Sequence, residues 1–108
     1  IIEIGGRMGG DFIGSDLVSL STGYDLLKAS LNISLNIKPK LFTRSIEKFS
    51  GIYYYTPQTK WVKEIIENPD NKVIKSDFLA SDINEVKNSS DRLGYFIYQG
   101  KQKYKPSN

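Results

Sequence analysis

A short segment near the start of the chain combines a carboxylate, a guanidinium and several glycines. It reads Glu3-Ile4-Gly5-Gly6-Arg7-Met8-Gly9-Gly10-Asp11. A carboxylate can hold Mg²⁺ against nucleotide phosphates, a guanidinium can stabilise a transferring phosphoryl group, and glycine amides can reach a bound ligand. These residue types are therefore suited to phosphoryl transfer.

A purely structural interpretation of the same segment is equally simple. The glycines can build a turn, and Glu3 and Arg7 can form a solvent-exposed ion pair of little energetic value. The segment matches neither the P-loop, which needs Gly-Lys-Ser/Thr, nor the dinucleotide fingerprint with its three-glycine spacing. Taken alone, it leaves both interpretations open.

The composition excludes several classes of chemistry. The chain has no Cys and no His, which removes disulfides, thiolate nucleophiles, and the commonest general base and transition-metal ligand. Its net charge of +3 is spread along the chain without a basic block, so we expect no nucleic-acid partner. No run approaches the roughly 18 apolar residues of a membrane span, so we expect no membrane partner and a cytoplasmic protein.

Periodicity and turn residues predict an α+β fold. Thr22-x-x-Asp25 resembles a capping box and predicts a helix of about four turns, with Leu27, Leu31 and Leu35 on its apolar face. A shorter helix is predicted around Trp61. We expect an antiparallel sheet of about four to five strands with one longer and one short helix. The predicted strands are residues 1–4, 41–46, 48–56, 72–79 and 92–99.

Finer details of the β-rich part can also be predicted. Gly51 is a candidate bulge, and Phe49 is expected inside together with one phase of the following tyrosines. Asp25 and Asp91 stand where Asp usually serves as a cap or turn residue. The polar run after Gly100 has no periodicity and predicts a frayed tail.

The segment at the start belongs to a longer string that resembles a known family. Residues 3–13 are followed by Leu17-Val18 and by Ser21-Thr22-Gly23-Tyr24-Asp25, and the whole string resembles the last catalytic segment of ATP-grasp enzymes. There an acid, an Arg and a glycine pair precede a Thr-Gly-x-Asp helix start. Asp91-Arg92-Leu93-Gly94-Tyr95 is similar to the strand that closes the C-terminal subdomain. The variant looks most like the amino-acid ligase and carbamoyl-phosphate synthetase-like branches.

The resemblance implies an organisation and a set of site residues. Residues 1–37 would be the end of an ATP-grasp catalytic domain, 38–100 its C-terminal β-rich subdomain and 101–108 a tail. Gly5 stands where the family commonly has a metal-binding Asn, and glycine has no side chain to coordinate. The implied roles are Glu3 as a ligand of Mg²⁺ or Mn²⁺, Arg7 as the catalytic contact to the phosphoryl group, and Gly9, Gly10 and Asp11 as substrate-binding residues.

The resemblance also implies a reaction for the parent protein. It would use ATP to join a carboxylate to an amine through an acyl phosphate. Because the chain begins directly on a strand-like run at Ile1, we expect a truncated enzyme whose partners are its missing N-terminal ATP-grasp domains and small carboxylate and amine substrates. We expect the fragment alone to be inactive and to bind neither ATP nor the metal tightly. Its orphan strand edge would favour a homodimer.

Two other functions remain open. One is a non-catalytic protein-interaction module that reuses this subdomain and presents residues 49–55 to a partner. An exposed apolar patch of several hundred Å² would favour either that module or a truncated enzyme. The other is a nucleic-acid-binding domain, which would need Lys and Arg clustered on one face.

Overall fold

The chain folds into two compact units, residues 1–48 and 49–108. The computed structural model describes residues 2, 4–79, 87–88 and 91–106. It contains helices and a three-stranded antiparallel sheet, which confirms the predicted α+β class. Within those residues no helix is long and apolar enough to cross a membrane. The predicted family boundary at residue 37 stays a prediction.

The first unit contains a helical segment that the sequence did not predict. A π-helical turn, Ile13–Leu17, continues into α1, Val18–Thr22. The Phe12 carbonyl accepts hydrogen bonds from the amides of Asp16 and Leu17 at 2.9 and 3.0 Å, which widens the first turn. Phe12 itself has a left-handed backbone with φ of 63°, a conformation that non-glycine residues seldom adopt.

The next helix, α2, spans Leu26–Ser34. Its N-cap is Asp25, whose Oδ1 accepts a hydrogen bond from the Lys28 amide at 2.8 Å. The helix itself is confirmed, but its predicted start at Thr22 is wrong, because Thr22 lies in the last turn of α1. Gly23 separates the two helices with a φ of 77°, and a side chain there would collide with the Ser45 hydroxyl.

The apolar face of α2 is largely exposed. Leu27, Leu31 and Leu35 are 38%, 55% and 68% exposed, and the buried residue of the helix is Ala29.

Two of the predicted strands do not form in the described residues. Residues 41–46 are not part of the sheet, because the amides of Ser45 and Ile46 donate to the Thr22 carbonyl at 2.9 and 3.3 Å instead of to a neighbouring strand. Ile2 and Ile4 belong to no strand, and Ile1 and Glu3 lie outside the described residues. The described sheet accordingly has three strands where four to five were expected.

The second unit is built on that sheet. Its strands are β1, Phe49–Tyr54, β2, Val73–Phe78, and β3, Gly94–Gly100, in the order β1-β3-β2. The short helix α3, Trp61–Glu67, follows β1. These four elements confirm the predicted strands and short helix. The irregularity in the ladder lies between Val73 and Lys75 rather than at Gly51, which pairs in regular register with Tyr98.

An aromatic core lies between α3 and one face of this sheet. It consists of Tyr55, Val62, Phe96, Tyr98 and Tyr104, and Tyr53 packs against it. The phase of the tyrosines is therefore as predicted. Phe49 is 47% exposed, so its predicted burial is wrong. It pairs with Gly100 at the end of the ladder, where no side chain faces it.

Residues 101–106 do not form the frayed tail that was predicted. Tyr104 is only 6% exposed, and its ring centroid lies 5.0 Å from that of Phe96 and 5.4 Å from that of Tyr98. Its hydroxyl donates a hydrogen bond to Oδ2 of Asp70 at 3.0 Å. One aromatic side chain is therefore enough to fix the polar run around it to the core.

Candidate functional site

The glycine-rich loop, residues 5–11, is held against the π-helical turn by two apolar side chains. A Cβ atom at Gly14 would lie 2.9 Å from the sulfur of Met8, and one at Gly9 would lie 3.0 Å from Cδ1 of Ile13. The missing side chains thus let Met8 and Ile13 pack directly on backbone. The Ile13 amide also donates to the Gly10 carbonyl at 3.0 Å. These contacts position the loop on the surface of the first unit.

The loop presents one cation and bare amides to solvent. Arg7 is exposed, and its Nη1 donates to the adjacent Met8 carbonyl at 3.3 Å. No carboxylate among the described residues pairs with its guanidinium. Within the same residues the amides of Gly9 and Gly10 donate no hydrogen bond. A guanidinium beside unused amides can bind an anionic oxygen.

Of the other predicted site residues, Asp11 is described by the structure and Glu3 is not. Asp11 is exposed at the end of the loop, with a positive φ of 52°. Glu3 lies outside the described residues, so its relation to Arg7 stays a prediction. Across the described part of the chain, no three Asp, Glu, His or Cys residues come together as a metal site. The described residues therefore do not by themselves supply the set of ligands that the implied Mg²⁺ would need.

A cavity of about 550 Å³ lies elsewhere in the first unit. Tyr24 helps to shape it, since its hydroxyl donates to the Lys40 carbonyl at 2.7 Å and its ring meets Phe42 edge-on at 5.1 Å. None of the predicted site residues lines this cavity. Its polar lining residues are Asp25, Lys28, Asn32, Lys38, Lys40, Thr43 and Ser45.

The second unit has a smaller cavity of about 370 Å³, here named the tail pocket. Sequence reasoning missed it, because its lysines are distributed between one turn and the end of the chain. The available signal was the alternation of Lys101, Lys103 and Lys105 around the single aromatic Tyr104. The residues that line the tail pocket are Lys72, Gly100, Lys101, Gln102, Lys103 and Lys105.

Tyr104, next to this pocket, is the described residue with a clearly perturbed ionisation. Burial, followed by the hydrogen bond to Asp70 and the negative charge of Asp70, raises the pKa of Tyr104 from its ordinary value of 10.0 to about 12. The phenol is therefore neutral throughout the physiological range. It acts as a hydrogen-bond donor and not as a general base.

Comparison of the chain with protein-family models, with curated proteins and with solved structures finds no match. Function therefore has to be inferred from the loop, the two cavities and the unburied apolar side chains of the first unit.

Proposed function

We propose that this chain is the C-terminal part of an ATP-grasp ligase, whose parent joins a carboxylate to an amine in the cytoplasm. The glycine-rich loop carries the proposal. It exposes the Arg7 guanidinium beside the unused amides of Gly9 and Gly10, while Met8 and Ile13 hold the loop in place. That arrangement suits binding of a phosphoryl group and of a carboxylate next to each other.

The reaction proceeds in two steps. A carboxylate oxygen of the substrate attacks the γ-phosphorus of ATP, ADP leaves, and an acyl phosphate forms. The amine then attacks the acyl carbon, the amine loses a proton, and phosphate leaves. Arg7 offsets the negative charge of the transferred phosphoryl group, and the amides of Gly9 and Gly10 bind an oxygen of the acyl group. Asp11 lies on the substrate side of the same loop.

Metal binding is assigned to Glu3 only by the family resemblance. Because the described residues form no cluster of metal ligands, the proposal places the other ligands in the rest of the parent. The lid, the adenine pocket and the phosphate-binding lysine would come from there as well. A chain that retains Arg7 and part of one loop lacks most of the preorganised groups, so we expect it to turn over no ATP alone.

The residues after the loop support its assignment to one structural unit. In the string Thr22-Gly23-x-Asp25, Thr22 closes α1 with a hydroxyl bond to the Val18 carbonyl at 2.7 Å, Gly23 supplies the left-handed turn, and Asp25 caps α2. Thr22, Gly23 and Asp25 therefore each have a role in the local structure. The string orders the helices that follow the proposed catalytic loop.

The first unit also leaves apolar surface that the missing domains could cover. Single exposed apolar residues are normal in soluble proteins, but large patches mark contact surfaces. Burying one such side chain contributes about 1.5–3 kcal/mol, so a domain that covers several of them would bind firmly. The exposed large apolar residues are Ile2, Ile4, Met8, Ile13, Leu27, Leu31, Ile33, Leu35, Ile37, Leu41 and Phe42.

The test measures ADP release by the full-length parent with Mg²⁺ across a panel of carboxylates and amines. Substrate-dependent turnover should fall on the order of 100-fold or more in Arg7→Ala, because a cation that acts on the transferred phosphoryl group is lost. Arg44→Ala is the matched control, since Arg44 is also an exposed Arg of the first unit and pairs only with Glu47 in an ion pair of 3.6 Å. Its turnover should be unchanged.

A folded parent without nucleotide turnover, or an unaffected Arg7→Ala variant, would contradict the ligase assignment. It would favour the second candidate, a non-catalytic interaction module. The exposed apolar residues of the first unit are the observation that supports such a module. Its contact surface would lie there and not at residues 49–55, because Tyr53 and Tyr55 pack in the core.

A further inference from the structure

The tail pocket concentrates positive charge in one small cavity. Among the described residues six line it, four of these are lysines, and none of the six carries a carboxylate. In the described residues none of these lysines forms an ion pair through its ammonium group. Like charges in one concave site raise the local potential and attract an anion.

Both walls of the pocket are fixed by the fold of the second unit. The tail is anchored by Tyr104, whose ring is buried against Phe96 and Tyr98. Lys72 is anchored through its backbone, because its carbonyl accepts from the Gln99 amide at 3.0 Å and its amide donates to Oδ1 of Asp70 at 2.8 Å. The lysines therefore project from ordered backbone and not from a loose end.

The carboxylate of Asp70, next to the pocket in contact with Tyr104, accepts two hydrogen bonds. Oδ1 of Asp70 accepts from the Lys72 amide, and Oδ2 accepts from the Tyr104 hydroxyl. The ammonium of Lys72 lies 5.8 Å from the centroid of the Tyr104 ring, where it makes a cation–π contact instead of an ion pair. Asp70 keeps its negative charge and offsets part of the positive charge, but four lysines line the pocket, so its net charge stays positive.

The lining also indicates the class of anion. Lysine binds phosphate as a point charge with rotatable donors, whereas a planar carboxylate favours the fork of an arginine. Several separate ammonium groups match a chain of linked phosphates better than they match a single phosphate. No aromatic ring lines the cavity to stack on a base, and its volume of about 370 Å³ suits a small ligand.

We propose that the tail pocket is a binding site for an oligophosphate, recognised through its phosphates by Lys72, Lys101, Lys103 and Lys105. Inorganic polyphosphate and nucleoside triphosphates both carry such a phosphate chain. This site lies in the second unit and does not depend on the loop of Arg7 or on the ligase proposal.

The test titrates the purified chain with tripolyphosphate by calorimetry and follows amide shifts by NMR. Saturable binding should move amides of residues 100–105, and inorganic orthophosphate should bind at least about tenfold more weakly, since fewer charged contacts form. Raising the salt concentration should weaken binding. ATP without Mg²⁺ should bind about as tightly as tripolyphosphate if the phosphates alone are recognised.

The double variant Lys101→Gln/Lys103→Gln should weaken tripolyphosphate binding by at least about tenfold, because two of the four charged contacts are lost. Lys101→Arg/Lys103→Arg, which keeps the charges, should retain most of it. Lys60→Gln is the control, since Lys60 is an exposed lysine of the same unit outside the pocket. Unchanged Trp61 fluorescence shows that each variant is folded.

Three outcomes would overturn the oligophosphate site. They are no saturable binding of tripolyphosphate, a double variant that binds as wild type does, and an equal loss of affinity in Lys60→Gln. Binding of ATP without any binding of tripolyphosphate would also overturn it, because the nucleoside would then be the recognised group.

Discussion

The two units bury their apolar residues to very different extents. In the second unit Phe96, Ile97 and Val62 are fully buried, and aromatic rings from strands, helix and tail meet in one core. In the first unit the fully buried side chains are few, and most of its large apolar residues are exposed. The compositions differ as well, because the second unit holds ten of the thirteen aromatic residues of the chain, and several of these rings build its core.

The contrast indicates which unit can stand alone. The second unit closes its sheet against α3 and Tyr104, so its core is formed by its own residues. The first unit is held mainly by helix caps and backbone hydrogen bonds, such as those of Asp25 and Thr22. A stable fold usually needs a larger apolar core than these contacts supply. The first unit therefore leaves more of its apolar surface exposed than the second unit does.

The largest effect is expected from Phe96→Ala in the core of the second unit. Phe96 is 0% exposed, and truncation of a buried Phe costs about 3–5 kcal/mol. That is a large share of the roughly 5–15 kcal/mol of a typical domain. Urea denaturation followed by Trp61 fluorescence should show the midpoint shift sharply downward or the unit unfolded.

Phe42→Ala is the matched change in the first unit. Phe42 is exposed and its ring contacts that of Tyr24, so we expect a loss below about 1.5 kcal/mol. The midpoint reported by Trp61 should hardly move. If both substitutions lowered that midpoint equally, the two units would not differ in the way described above.

A smaller effect is expected when the Tyr104 phenol ionises. Its folded pKa of about 12 lies above the ordinary value of 10.0, so the stabilisation is complete below pH 10 and is lost as the pH rises toward 12. The loss approaches about 3 kcal/mol over that interval. The groups that face the phenol are Asp70, which accepts its hydrogen bond, and Lys72, whose ammonium lies over its ring.

Tyr104→Phe isolates this contribution from the titration of the lysines. The free energy of unfolding of wild type minus that of the variant should fall between pH 10 and 12, measured by denaturation at a series of pH values. Parallel pH profiles of the two proteins would show that the phenol does not carry a raised pKa. A fall that begins below pH 9 would point to another group.

The smallest effect is expected from Asp25→Ala at the start of α2. The substitution removes the bond from the Lys28 amide to Oδ1, and loss of such a cap costs about 1 kcal/mol. Hydrogen exchange of the α2 amides should become faster, while the Trp61 midpoint should stay where it is. Asp25→Ser retains a capping oxygen and should restore most of the protection. Unchanged exchange in Asp25→Ala would mean that the cap contributes nothing.

Local patterns predicted much of the second unit. Alternation of apolar residues in residues 48–56, 72–79 and 92–99 corresponds to β1, β2 and β3, and the spacing from Trp61 to Ile66 corresponds to α3. Strand and helix periods are local properties of a sequence, which is why these elements could be recognised. Burial of Phe49 was wrong because it depends on the residue across the ladder, Gly100.

The first unit was predicted less well, since its structure depends on contacts distant in sequence. The helical stretch 13–22 contains Gly14 and follows Phe12, whose backbone is left-handed. Both features are more typical of a loop than of a helix. It forms where Met8 packs on Gly14 and the Phe12 carbonyl accepts two amides. Residues 41–46 have strand character but bond to the end of α1. In the candidate loop, the residue types could be predicted, but the exposure of Arg7 could not.

By itself the sequence determined the secondary-structure periods, the cap at Asp25 and the chemical groups of the loop, because these depend on residues a few positions apart. The tertiary structure decided which distant residues share a site. Lys72 meets Lys101, Lys103 and Lys105 only because β2 pairs with β3 and Tyr104 enters the core. The tertiary structure also decided which apolar residues stay exposed, because burial requires a partner surface that periodicity does not specify.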